Sequence, residues 1–258
     1  MVQDLHSHTY YSFCGADTPE QVVKAAIDGS VELLGITDHN YGVGCARTDV
    51  YFSASPEIGN DYERTLKRYF DHINLIKEKY ADKIKILRGI EVNTLTGGRT
   101  ALPESADISC FDFCLVENLD AGEGKTITNG DIFAFADRCG CPTGIAHTDM
   151  FAFILSRGED PYRYFRRMAD RGIFWEMNVN LDTVHHGHEH KYMLEFFADT
   201  EQQEIVRRSK VRLSVGFDGH RVDDYKPQRI AEYWGKIPRT GIQLAFQDRA
   251  TAIAGWID

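Results

Sequence analysis

Short runs of apolar and β-branched residues recur along the chain, separated by longer stretches in which apolar positions return every three or four residues. Seven runs predict strands: VQDLH (2–6), ELLGIT (32–37), KIKILRGI (83–90), DFCLV (112–116), PTGIA (142–146), IFWEMNV (173–179) and VRLSVGF (211–217). Between the first two, Asp17-Thr18-Pro19-Glu20 opens a helix over 19–29, with Pro at an early position where its missing N–H costs nothing. The longest predicted helix runs from Asn60 to Tyr80 and lines up Leu66, Phe70, Ile73 and Ile76 on one face. The tail from Gln228 to Asp258 reads as closing helices. Near-continuous apolar strands in regular β-then-α order imply parallel strands covered by helices, in an open doubly wound sheet or a closed barrel. No GxGxxG succeeds the first strand and no GxxxxGK(S/T) occurs, so dinucleotide and P-loop chemistry lack their usual loops. The expectation is therefore an α/β barrel, as one domain over 1–258.

The chemistry gathers at the strand ends. These read His6-Ser7-His8, Thr37-Asp38-His39, Gly89-Ile90-Glu91, Glu117, Ala146-His147 and, after the seventh strand, Phe217-Asp218-Gly219-His220. In a parallel barrel those ends share one face, so residues more than 200 positions apart converge. Side chains at i and i+2 of an extended segment point the same way, which lets His6 and His8 face one ion, and likewise Asp218 and His220. A mixed set of imidazoles and carboxylates suits Zn, Mn or Fe rather than Ca.

The series DLHSH, ITDH, GIEVN, AHTDMF and GFDGH resembles, in the same order from about 4 to 221, the motifs of the polymerase-and-histidinol-phosphatase (PHP) metallophosphoesterases. YADKIKILRGIEVN is similar to the histidinol-phosphatase branch. The resemblance implies a distorted (β/α)7 TIM-like barrel, two or three divalent ions at the C-terminal strand ends, and phosphate-ester hydrolysis by a metal-activated hydroxide. Carried over by residue, it puts one ion on His6, His8, Glu91 and Asp218, a second on Glu91 and His147, and a third on His39 and His220. The chain departs from the pattern after strand four, where LVENLD offers Glu117 as the substitute ligand. It departs again before the first helix, where Cys14 or Asp17 is the candidate for the third ion. Asp17 is also the candidate general acid, or else the cap of helix 19–29. For the phosphate oxygens Arg157 is preferred, with Arg47, Arg99 and Arg221 as rivals in other loops of that face. Tyr10 and Tyr11, beside the HxH pair, are candidates to line the pocket. His185, His186, His188 and His190 read as a loop that does not ligate.

The substrate expected from this branch is a small phosphomonoester, with L-histidinol phosphate the named candidate. A metal-dependent amidohydrolase barrel also starts with HxH, but commonly bridges its metals with a modified lysine after strand four, where this chain has Val116-Glu117-Asn118. A non-catalytic metal-binding barrel is the other alternative. With 29 Lys+Arg against 39 Asp+Glu the net charge is −10, and no basic run occurs, which disfavours nucleic acid as a partner. Part of that negative charge, at Glu91, Glu117 and Asp218, belongs to the expected cation site. The start MVQDLHSHTY lacks a signal peptide's basic and apolar regions and no run approaches a membrane span, so the chain reads as cytoplasmic, with no membrane partner. Six cysteines form no CxxC…CxxC zinc pattern and read as mostly reduced and buried.

Overall fold

The computed structural model describes residues 1–12, 14–39, 62–92, 107–119 and 131–247. Arg47 and Arg99 lie outside the described residues. All seven expected strands form, as β1 Gln3–Asp4, β2 Leu33–Ile36, β3 Lys85–Val92, β4 Phe113–Val116, β5 Thr143–Ile145, β6 Phe174–Asn178 and β7 Leu213–Gly216. They pair in parallel in sequence order. β7 returns to β1 through Leu5 N–H to Val215 O (2.8 Å) and His8 N–H to Gly219 O (2.9 Å), which brings the sheet round into a TIM-like barrel.

The period of two along each strand sorts the side chains. Leu33, Leu87, Phe113, Leu115 and Phe174 point inward with Leu5 and Ala146 to form an apolar floor. Further along the same strands, Glu91 and Glu176 take the inward positions, so the barrel interior changes from apolar to acidic toward the C-terminal strand ends. The outward positions meet helices α1 Pro19–Asp28, α2 Tyr62–Lys79, α3 Ile132–Cys139, α4 Met150–Ser156, α5 Pro161–Asp170, α6 Lys191–Ala198, α7 Thr200–Ser209 and α8 Pro227–Lys236. Trp175 on β6 is the centre of that outer layer, with ring centroids of Phe151, Phe165, Tyr192 and Phe196 at 5.5–6.1 Å. Each such ring removed from water contributes about 1.5–3 kcal/mol.

Helix α1 starts at Pro19, and its cap is Thr18 rather than Asp17. Thr18 Oγ1 accepts from Gln21 N–H while Gln21 Oε1 accepts from Thr18 N–H, a reciprocal capping box. In α2, Leu66, Ile73 and Ile76 are buried as the spacing predicts, together with Tyr69, while Phe70 is half-buried at the edge of the stripe. As far as residue 247 the tail differs from the expected run of helices, and 248–258 lie outside the described residues. After α8 and a short 3-10 turn at Ile237–Thr240, the chain pairs with the start of β7 through Leu213 N–H to Gln243 O (3.0 Å) and Ala245 N–H to Leu213 O (2.7 Å). Phe246 then packs on Phe113 and Phe174 and closes the floor. Among the described residues no helix is long and apolar enough to cross a membrane.

Candidate metal centre

His6 and His8, two residues apart beyond β1, both turn toward the mouth of the barrel, and each is fixed by a partner on its Nδ1. Glu176 Oε1 lies 2.7 Å from His6 Nδ1 and, as a carboxylate that only accepts, it requires the proton there. Ser12 Oγ lies 3.0 Å from His8 Nδ1 and gives its own proton to Asp38 Oδ1 (2.7 Å), so His8 Nδ1 donates. Asp38 also accepts from Thr9 and Ser12 N–H at 2.7 and 3.1 Å and so moulds the turn after the HxH pair. In their neutral forms both imidazoles consequently present Nε2 lone pairs to the same point.

Around that point are acceptors only. His6 Nε2 and His8 Nε2 are 3.2 Å apart. Asp218 Oδ1 is 2.9 Å from His8 Nε2 and 3.4 Å from His6 Nε2. Glu91 contributes Oε1 at 3.4 Å from His6 Nε2 and Oε2 at 3.4 Å from His8 Nε2. Donors at 2.0–2.1 Å around a tetrahedral ion stand about 3.3–3.4 Å from one another, so the spacings among His6, His8 and Asp218 fit one divalent ion, with a Glu91 oxygen beside each histidine. Buried lone pairs and carboxylates facing each other without a proton would otherwise be costly.

The electrostatics agree with that demand for positive charge. Burial pushes the His6 imidazole down, but the carboxylates of Glu176, Asp218 and Glu91 more than reverse it and hold it well above its ordinary value. His8 is driven the other way, down to about 3, by burial and by His39 and His220. Asp218 stays well below its ordinary value because His6 and His220 outweigh its burial. Among the described residues the ion-pair partners of Glu91 and Asp218 are histidines, which are also the residues a cation would recruit. Backbone geometry serves the same site. Asp218 and Asn118 sit in the left-handed region (φ 54° and 59°), a cost that functional sites carry. At Gly216 a Cβ would collide with Glu176 Oε1 and with His6, so only glycine lets β7 pass behind the pair.

The other expected ligands gather on the far side of Glu91. Its Oε1 lies 3.3 Å from His147 Nε2 and its Oε2 2.9 Å from His39 Nδ1, while Glu117 approaches the same two rings at 3.7 and 3.3 Å. His39, Glu91 and Glu117 thus form a second donor group, and His8, Cys14 and His39 a third. Burial pushes the Cys14 thiol up, but hydrogen bonds with His220 and His39 outweigh it and hold it below its ordinary value. Of the two candidates before α1, the structure brings Cys14 to these histidines. Asp17 joins none of the donor groups among the described residues, and its Oδ2 accepts from Val222 N–H at 2.9 Å.

This geometry coincides with a family match, since the PHP domain pattern fits residues 4–220 and so spans every donor just described. The chain belongs to the PHP family. A histidinol-phosphatase of Lactococcus lactis subsp. lactis is 28% identical over 120 residues, a match covering 46% of this chain and 40% of that protein. The chain thus spans about two fifths of the length of the curated relative it matches. Among solved structures, the histidinol phosphate phosphatase of the same organism, in complex with zinc, L-histidinol and phosphate, superposes with a TM-score of 0.58. It is 20% identical, over 94% of this chain and 95% of that one, and shows the shared barrel.

Within this PHP barrel several residues at the mouth escape reading from strand ends. Glu176 lies in the middle of β6, yet its Oε1 meets His6 and its Oε2 accepts from His147 N–H at 2.8 Å. Asn178 Nδ2 donates to Asp218 Oδ2 (3.3 Å), and Asp182 holds both His185 Nδ1 (2.9 Å) and His220 Nδ1 (3.1 Å). The histidine loop also divides. His186 and His188 are exposed, whereas His185 reaches Asp218 Oδ2 (3.6 Å) and His190 stacks on His147 with centroids 5.9 Å apart. The loop read as one that does not ligate thus brings two of its rings to the cluster.

A cleft of about 410 Å³ opens beside His147, lined by Asn118, Thr148, Phe153 and Ser156 among others. Arg157, exposed at the end of α4, lies over the Phe153 ring (5.5 Å) and 3.7 Å from Glu159. Tyr11 turns instead toward α2, its hydroxyl 2.8 Å from His72 Nδ1, and Tyr10 stacks on it from the exposed side.

Proposed function

We propose that this chain is a metal-dependent phosphomonoesterase acting on a small phosphate ester, with L-histidinol phosphate the first substrate to test. The observation that carries this reading is the convergence of His6, His8 and Asp218, whose donor atoms lie 2.9–3.4 Å apart, with one Glu91 oxygen 3.4 Å from each histidine. The name of the curated relative supports the substrate class. In this reading these four residues hold the first ion. Glu91, Glu117 and His147 hold a second, and Cys14, His39 and His220 a third, with Zn, Mn or Fe as the suited metals. Bound divalent ions would supply Lewis-acid polarisation of the phosphoryl oxygens and acidification of an attacking water.

The chain's own groups account for the remainder. Glu176 and Ser12 fix the tautomers of His6 and His8, and Asp182 fixes His185 and His220. The ester's organic part enters the cleft beside His147, and Arg157, above its Phe153 wall, meets phosphate oxygens from the rim. Asp17, before α1 and anchored by the Val222 N–H of the loop after His220, donates the proton to the leaving oxygen. The test is a panel of phosphate release from histidinol phosphate, nucleotide monophosphates, sugar phosphates and a diester, with Zn, Mn or Fe restored. Turnover of small monoesters well above the diester is expected. Amide hydrolysis in place of phosphate release, or no turnover of any ester, overturns the reading.

A further inference from the structure

Away from the mouth, three cysteines from separate parts of the fold meet in the layer between sheet and helices. Cys114 lies on β4 between Phe113 and Leu115, which point into the barrel, so its own side chain faces outward toward the helices. Cys139 ends α3, and Cys141 stands just before β5. Their sulfurs are within 4.8 Å of one another, and the residues are 0%, 7% and 9% exposed. The chain reverses between the last two at Gly140 (φ 76°), where a Cβ would stand 2.7 Å from Ser109 Cβ. That left-handed turn is what lets Cys139 and Cys141 present sulfur to one place.

Within this apolar layer two polar groups reach the thiols. Thr143, the ladder partner of Cys114, sets Oγ1 at 3.2 Å from Cys139 Sγ and 3.6 Å from Cys114 Sγ. The Cys141 carbonyl lies 3.1 Å from Cys139 Sγ. A lone buried thiol packs as a small apolar group, but three in mutual contact with a hydroxyl and a carbonyl offer a soft donor set. Metal–sulfur bonds of about 2.3 Å put three sulfurs around one centre about 3.8–4.0 Å apart, inside the observed separation.

We propose that Cys114, Cys139 and Cys141 form a buried three-thiolate site for a thiophilic d10 cation, Zn2+ or Cu+, which pins the end of α3 to β4 and β5. As each metal–sulfur bond forms, the thiol proton leaves to solvent, and nothing is oxidised or reduced. The site lies toward the N-terminal ends of β4 and β5 and stands apart from the strand-end cluster, so it holds or fails independently of the phosphatase reading.

The test uses the full chain carrying Cys14→Ser, which removes the thiol at the mouth, reduced and stripped of metal. Titration with Cd2+ is read as thiolate-to-metal charge-transfer absorption and as bound metal in native mass spectra. One equivalent of thiolate-bound Cd2+ is expected. Cys141→Ala should weaken it by more than about tenfold. The Cys139→Ala, Cys141→Ala double variant should abolish the band. Cys141→Ala alone, at the most exposed of the three positions, should keep its far-UV spectrum, and its lost affinity decides the matter if the double variant does not fold. Competition by Zn2+ and by Cu+ then identifies the cation. No band, a band indifferent to Cys141, displacement by neither ion, or a chain isolated two mass units light as a disulfide each overturns the proposal.

Discussion

Replacing Glu176 by Gln changes no volume and removes one charge, which makes it a clean probe of how the metal centre is built. Both carboxylate oxygens are used. Oε1 accepts from His6 Nδ1 at 2.7 Å, and Oε2 accepts from the His147 N–H at 2.8 Å and from Asn178 Nδ2 at 3.3 Å. An amide has one oxygen and one NH2, so either orientation sets a donor against a donor. If the NH2 faces His6, the ring is driven to the tautomer with its proton on Nε2, the atom that should carry a lone pair for the ion. If it faces His147, the backbone N–H after β5 loses its acceptor. A buried hydrogen bond to a charged group is worth about 1.5–3 kcal/mol. At 1.4 kcal/mol per decade this predicts a ten- to hundredfold (roughly) loss of metal affinity, the size typical of partners that orient metal-ligating histidines. The assay is Zn2+ competition against a chromophoric chelator, with phosphate release followed as Zn2+ is raised. Turnover should return at high metal. Unchanged affinity would refute the claim that Glu176 sets the His6 tautomer.

Three further outcomes are expected. Asp17→Asn should depress turnover far more for an alkyl phosphate than for p-nitrophenyl phosphate, whose leaving group needs no proton; equal losses on both would remove Asp17 from the acid role. Arg157→Gln should raise KM for phosphate esters with metal content intact, and an unchanged KM places the guanidinium off the phosphate. Asp112 is half-buried, and burial raises its pKa, but the Arg88 fork at 2.7 and 3.0 Å outweighs that and holds it below its ordinary 3.8. A lowered carboxylate pKa stabilises the fold fully above the unfolded value, and the contribution is lost as pH falls through the folded one. The gap in urea midpoint between wild type and Asp112→Asn should therefore hold steady at neutral pH and close below 3.8; a gap that persists in acid contradicts the pairing.

The strands were legible because each is a near-continuous apolar run, the mark of a strand buried on both faces, and the candidate ligands because they stand where those runs stop. Glu176 was hidden for the same reason. Inside IFWEMNV it counts as strand interior, and only the closed barrel makes its inward side the floor of the site. Its signal was a lone carboxylate in an apolar run, which burial obliges to find partners. Asp38 escaped similarly, because its work is done on the backbone of Thr9 and Ser12 rather than at the cluster. The choice between Cys14 and Asp17 rested on a loop conformation that no periodicity encodes. The tail misled because its apolar residues suit helix or strand, and the pairing with Leu213 that decides between them is long-range. The three buried thiols gave no motif, since one of them lies on another strand.

Glu91 offers the most direct test of the centre, because its two oxygens face different histidines: Oε1 approaches His6 and His147, Oε2 approaches His8 and His39. A carboxylate shared in this way is a common ligand of neighbouring ions. The measurement is metal content per chain, by elemental analysis after saturation with Zn2+ and removal of unbound metal, for wild type, His147→Ala and Glu91→Ala. The account predicts that His147→Ala loses one ion and Glu91→Ala loses at least two, with phosphate release abolished in the latter and any ion on the thiols retained in both. Equal losses in the two variants, or full metal content in Glu91→Ala, would contradict it.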